Sequence, residues 1–200
     1  MTLVQTLLPL WAFIVVVVAT PGPANMLAMA VGARVGFWRF QRFNAGLIVG
    51  KILLNLAMAL GMLTVLYDRP TLALIFKFAS AGYMIYLAVR GWSAVPDPSD
   101  GSVGPVSFGA GLLVHPLNPK AWVMSVLAFT DYGPTLGADS GTPAFQAGII
   151  ITSFVLAQLI FHSGWCLAGV ALARAVPASL WLHRGLTIVT VVVILIVLAV

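Results

Sequence analysis

Read for long apolar stretches, the chain resolves into six: about Leu3 to Val31, Asn44 to Leu66, Thr71 to Trp92, Phe108 to Thr130, Ala144 to Leu172, and Leu180 or His183 to Val200. A transmembrane helix needs roughly 20 apolar residues to cross roughly 30 Å of hydrocarbon, and each stretch meets that need. The first and fifth are longer than a straight span requires. The first also contains Pro21-Gly22-Pro23, which should break or kink it. The only linker-like composition is 94–105, rich in Pro, Gly, Ser and Asp. It divides the chain into a first half, 1–93, a linker, 94–107, and a second half, 108–200, with three helices in each half. An odd number of spans per half turns the halves in opposite directions, so that, if related, they form an inverted repeat. The predicted fold is an all-α integral membrane protein of six transmembrane helices in two inverted three-helix repeats, with proline breaks in helices 1 and 4.

Composition fixes the solvent. Of 200 residues 61% are apolar and 8% charged, with a mean hydropathy of +1.06. So few charges cannot build a water-facing surface. The net charge of +5 comes from ten Lys and Arg against five Asp, with no Glu. These basic residues stand singly, without a stripe or interleaved aromatics, so no nucleic-acid partner is expected. Their placement bears on topology instead. Arg34, Arg39 and Arg42 follow helix 1, Arg90 follows helix 3, and Arg174 and Arg184 follow helix 5, whereas the alternate loops hold only Arg69. The positive-inside rule makes the former loops cytoplasmic and places both termini outside, with the Asp131 and Asp139 loop on the far face. The single cysteine, Cys166, excludes an internal disulfide and a cysteine metal cluster, and neither metal nor cofactor is expected. With no Lys or Arg before Arg34, a cleaved signal peptide is not indicated, and the first apolar stretch is expected to remain.

Candidate chemistry lies in the polar groups that cannot escape the bilayer. Lys51 is about seven residues, roughly 10 Å, into helix 2, and helical side chains lean toward the N-terminus, here cytoplasmic, so it can snorkel. Lys77 reads as an interfacial lysine for the same reason. Lys120 differs, being about twelve residues, roughly 18 Å, into helix 4 and beyond the reach of its own stem. It is either a functional cation or a structural lysine satisfied by backbone carbonyls. Around it, His115-Pro116-Leu117-Asn118-Pro119-Lys120 places two prolines in mid-span. Helix 1 carries a matching Thr20-Pro21-Gly22-Pro23-Ala24-Asn25. Each proline removes a donor and frees a carbonyl, which at membrane depth is tolerated only where protein or water covers it. One break per half, each beside an Asn, is the pattern of a substrate site at a repeat interface, although either alone is also an ordinary kink.

Lys51 and Asn55 share a helix face, as do Gln158 and His162, and these pairs either line a cavity or make interhelical hydrogen bonds. His115 and His162 can be structural or titrating. The Gly32-xxx-Gly36 and Gly46-xxx-Gly50 spacings suit close helix packing and speak to assembly, so a homo-oligomer stays open. All five Asp fall in or beside loops; if protons are exchanged, a lysine or a histidine carries them.

These residues carry a family resemblance along nearly the whole chain. Pro21-Gly22-Pro23-Ala24-Asn25, Gly36, Gly46 and Gly50, the run Ala81-Gly82-Tyr83-Met84-Ile85-Tyr86-Leu87, and Phe108, Gly111 and Asn118-Pro119-Lys120-Ala121 together resemble the LysE/RhtB family of bacterial amino-acid exporters. Asn118-Pro119-Lys120-Ala121 is the most specific match. The resemblance implies proton-driven export of amino acids or their derivatives across the bacterial inner membrane. One departure stands out: many relatives carry an acidic residue after the glycine at Gly50, where this chain has Lys51, and the reversed charge bears on substrate class and coupling. The expected site sets Pro21, Gly22, Pro23 and Asn25 against Asn118, Pro119 and Lys120, with Lys120 pairing the substrate carboxylate. Lys51, Asn55, His115, Gln158 and His162 are candidates for coupling or for lining a cavity. The partners are thus an amino-acid-type substrate, protons and the lipid bilayer. The competing readings are a membrane-embedded enzyme, against which no HExxH, GxSxG or intramembrane ligand cluster is found, and a non-transporting scaffold, which leaves Lys120 unexplained.

Overall fold

The computed structural model describes residues 3–61, 70–89, 92, 107–137, 142–176 and 179–199. The elements there are helical: α1 (Leu3–Ala19), α2 (Pro23–Ala59), α3 (Pro70–Val89), α4 (Phe108–Val114), α5 (Pro119–Leu127), a π-helical turn (Ala128–Tyr132), α6 (Gly133–Gly137), α7 (Pro143–Ala175) and α8 (Leu180–Ala199). Among the described residues, Pro23–Ala59, Pro143–Ala175 and Leu180–Val197 are long and apolar enough to cross a membrane, and Leu7–Ala19 and Phe78–Val89 are shorter apolar helices. The linker expected at 94–107 falls outside the described residues but for Ser107. So do Arg69, Arg90, Asp68, Asp97, Asp100, Asp139 and the side chain of Lys77.

The helix starts follow local chemistry. Ser107 and Thr142 accept the first free amides, from Ala110 (3.1 Å) and Phe145 (3.3 Å), and prolines occupy the opening positions of α2, α5 and α7, where a missing N–H costs nothing. Three expectations need correction. Arg34, Arg39 and Arg42 are not in a loop: α2 runs through them, and the only non-helical residue is Gly36, at φ 76°. Glycine reaches this left-handed conformation without a Cβ clash, so one residue separates the limbs 23–35 and 37–59. Gly36 therefore serves a bend rather than a helix contact, with open space where a Cβ would be. Second, Asp131 lies in the π-helical turn, exposed, instead of in a loop. Third, helix 5 extends to Ala175 and carries Arg174 in its last turn.

Five other glycines, Gly32, Gly46, Gly50, Gly111 and Gly169, bring backbones together within the chain. A Cβ at Gly32 would strike Cys166 on α7, and one at Gly169 would strike Met29 on α2. Across the other contact, Gly46 and Gly50 lie against Phe108 and Leu112, and Gly111 against Phe43. The first limb of α2 thus packs on α7, and the second on α4.

Two apolar clusters result. One gathers Leu27, Phe40, Phe43, Leu47, Met84, Val114, Cys166 and Ile194. The other gathers Leu10, Ile14, Val18, Leu54, Ala121, Met124, Ile150, Phe154 and Ala157. At four of the chain's passages between them polar residues lie: Thr20 to Asn25, Lys51, His115 to Lys120, and Gln158 to His162. Asn25, Lys51, Asn55, His115, Asn118, Ser125, Gln158 and His162 are buried, whereas Leu8, Val16, Ile160 and Ile196 are exposed. Apolar outside and polar within is the arrangement for a hydrocarbon solvent.

Candidate functional site

Four prolines free four carbonyls, and three of them find a donor elsewhere. Pro21 leaves the carbonyl of Val17 without its helical donor, and the Thr20 hydroxyl supplies one (3.1 Å). Pro23 frees Ala19, which receives Trp165 Nε1 from α7 (3.2 Å). Pro119 frees His115, which accepts the Asn118 amide (3.1 Å). Pro116 frees Leu112, whose carbonyl abuts the Cα of Gly50. Beyond the end of α1, Asn25 donates through Nδ2 to Val18 (2.8 Å) and Thr20 (2.9 Å). Trp122 donates to Pro116 (2.7 Å) across the second break. Buried backbone acceptors need partners, and here side chains provide most of them.

The two breaks meet. Asn118 caps α5 through its Oδ1, which accepts the Lys120 amide (3.1 Å). The Lys120 side chain then crosses to the first break, where Nζ donates to the Thr20 hydroxyl (2.9 Å), the Thr20 carbonyl (3.2 Å) and the Pro21 carbonyl (3.3 Å). Gly22 leaves room for this side chain, since a Cβ there would lie 3.1 Å from both Lys120 Cδ and Nζ and would push the lysine aside. Beside this bridge is a cavity walled by Gly22, Asn25, His115, Asn118, Lys120, Gln158 and His162, with Val17, Val18, Ala24 and Met124 as its apolar surface; it measures about 20 Å³ to water centres. That admits a water molecule and is far too small for an amino acid.

The candidates for coupling or for lining a cavity divide into two groups. His115 and His162 stack at 5.5 Å between ring centres; His115 faces Gln158 (3.4 Å), and His162 faces Asn44 (3.3 Å). His115 Nδ1 and Gln158 Oε1 have no partner among the described residues. Lys51 and Asn55 do not line the cavity. Lys51 does not snorkel: it is fully buried and donates to Ala121 (3.1 Å) and Ser125 (2.7 Å), because acceptors on α5 lie within its reach. Ser125 completes the group by donating to Asn55 Oδ1 (2.7 Å). Thr20, Ser125, Asn44 and Trp165 are polar contributors that sequence reading missed. Ser125, four residues after Ala121 on one helix face, was the detectable one; the Trp165 contact to Ala19 joins residues 146 apart and leaves no local signal.

The model of the family described as LysE type translocator matches residues 15–200, taking in both breaks and the cavity. This chain belongs to that family. As a LysE type translocator it is a multi-pass membrane protein, in keeping with three described helices long and apolar enough to cross a bilayer. Among curated relatives it is similar to a cysteine/O-acetylserine efflux protein of Escherichia coli (strain K12), 28% identical over 125 residues, 61% of this chain. A protein of the same description from Shigella flexneri serotype 5b (strain 8401) is 27% identical over 125 residues, with the same coverage. The chain spans 63% of the length of these relatives. No solved structure matches it.

Proposed function

We propose that this LysE type translocator exports small amino acids or their derivatives from the bacterial cytoplasm, by alternating access and at the expense of the proton gradient. The observation that carries the reading is the meeting of the two proline breaks, with Lys120 of one donating to the Thr20 and Pro21 carbonyls of the other. An amino-acid zwitterion fits that bridge by exchange. Its carboxylate takes the Lys120 ammonium, and the carbonyls so released, with Asn25 and Asn118 nearby, receive its amino group. A cavity of this size cannot hold such a molecule until the breaks part, which is the movement alternating access requires.

Crosswise packing supports two inverted three-helix halves: broken helix 1 lies on helix 5 of the other half, through Gly32 and Gly169, and broken helix 4 lies on helix 2, through Gly46 and Gly50. Arg184 stands over Trp92 (5.5 Å) and Trp181 (6.0 Å). Both tryptophans belong to the face where the arginines were counted, as an interfacial belt on the cytoplasmic side would have it. The names of the relatives direct the substrate reading to cysteine and O-acetylserine. Catalysis is the weaker reading, since the family is one of translocators.

The test is transport by reconstituted protein of radiolabelled cysteine, O-acetylserine and a panel of other amino acids. Lys120→Met is expected to insert normally and to lose export and binding. Lys120→Arg should be impaired but retain some binding, because a guanidinium pairs carboxylates and does not deprotonate at accessible pH. If purified Lys120→Met binds a transported amino acid with the parent's affinity, Lys120 is a structural bridge and the carboxylate site lies elsewhere.

A further inference from the structure

Lys51 lies on the second limb of α2, fully buried, and three acceptors surround its ammonium. These are the Ala121 carbonyl (3.1 Å), the Ser125 hydroxyl oxygen (2.7 Å) and the face of Phe154, 4.0 Å from the ring centre. Ser125 donates its own proton to Asn55 Oδ1, which holds the oxygen lone pairs toward the lysine. Three donors against three acceptors is the complement of an ammonium. A neutral amine would present a lone pair that needs a donor, and a ring face attracts only the cation. The seat is therefore built for a charge.

What offsets that charge is unusual. Asp131 is the one acidic residue among those described, and it is exposed. The titratable groups whose charging the Lys51 cation would oppose are His115, after α4, and His162, on α7. Lys120 neighbours Ala121 on α5 but sends its ammonium the opposite way, to Thr20. Every one of these groups is basic. Lys51 is thus a cation held by a carbonyl, a hydroxyl and a ring, away from the cavity wall and joined to the half-helix that carries Lys120.

We propose that Lys51 is the proton carrier of the transport cycle, with Ala121, Ser125, Asn55 and Phe154 as the seat that holds its ammonium. This rests on the reading of the protein as a proton-driven exporter. The step is proton transfer alone: the ammonium gives one proton to water on one side, the electron pair stays on nitrogen, and another proton is taken from water on the other side. Loss of the proton weakens the ties to Ala121 and Ser125 and frees α5 from α2. Because Lys120 sits in the first turn of α5, nine residues long, proton occupancy at Lys51 and the position of Lys120 move together. Lys120 itself is less suited, since its charge faces the cavity where the substrate carboxylate would neutralise it. The stacked histidines would have to charge beside the Lys51 cation.

The experiment measures efflux of an amino acid that the parent protein transports, from proteoliposomes, with and without an imposed pH gradient, and takes the ratio within each protein. The parent ratio is expected above one and the Lys51→Met ratio to fall to one. A Lys51→Met ratio equal to the parent's overturns the assignment and leaves proton-driven export standing. A parent ratio of one instead removes proton drive itself, and the assignment with it. If Lys51→Met gives no flux, Ser125→Ala decides. Removing one acceptor from the ammonium should move the pH midpoint of gradient-driven flux down by about one unit, the size expected for a lost hydrogen bond to a charged group. An unchanged midpoint refutes the assignment.

Discussion

Asn25→Ala tests the accounting of carbonyls at the first break. Asn25 is 5% exposed, and its Nδ2 serves Val18 (2.8 Å) and Thr20 (2.9 Å). The two losses differ in kind. Val18 is left with no donor among the described residues, and an unsatisfied buried carbonyl costs about 1–3 kcal/mol. Thr20 keeps Lys120 at 3.2 Å, so it loses only the net value of one bond, about 0.5–1.5 kcal/mol. The sum is about 1.5–4.5 kcal/mol, or roughly ten- to two-thousand-fold in the unfolding equilibrium. Reversible unfolding in mixed detergent micelles, followed by tryptophan fluorescence, measures it. Lys120→Met in the same background adds a sharper test, because both side chains converge on Thr20. Removing the second donor orphans a carbonyl that one donor still satisfied, so the double substitution should exceed the sum of the singles by about 1 kcal/mol. A loss below about 0.5 kcal/mol for Asn25→Ala, or strict additivity with Lys120→Met, would refute the reasoning.

Glycine substitutions should separate by sign: Gly32→Ala places a Cβ 2.8 Å from Cys166 Sγ and 2.9 Å from its Cα and should lose about 1–3 kcal/mol. Gly148→Ala, with open space around it, should be neutral or gain up to about 1 kcal/mol of helix stability; both are read in the same unfolding assay. Pro119→Ala restores a donor that can reach His115 and join α4 to α5, and should yield inserted protein with transport reduced at least tenfold; unchanged transport with lowered stability would make the break structural. For orientation, single cysteines at Arg39 and Thr135 in a Cys166→Ser background are to be probed with an impermeant thiol reagent on intact cells. Only the Thr135→Cys protein should label, and labelling at position 39 reverses the topology.

Local chemistry along the chain determined the apolar stretches, the two breaks and the identity of the polar residues at depth, since hydropathy and proline's missing donor act within about one helical turn. The resemblance carried by Pro21-Gly22-Pro23 and Asn118-Pro119-Lys120-Ala121 led to the family for the same reason: a helix break is written in consecutive residues. Where those residues point was decided elsewhere. Lean along its own helix assigns Lys51 to the cytoplasmic interface, yet it turns to Ala121, 70 positions away, because the half-helix freed by Pro119 lays a carbonyl and a hydroxyl within its reach. Helix 1 was expected to end before Arg34, and a single glycine at φ 76° lets α2 bend and run on. Lys120 was expected to await a carboxylate, and the carbonyls of Thr20 and Pro21, about 100 residues earlier, meet it first. Such partners arise only when Gly32, Gly46, Gly50 and Gly169 let whole helices touch, and side-chain direction at membrane depth follows the nearest unsatisfied acceptor rather than the sequence neighbours.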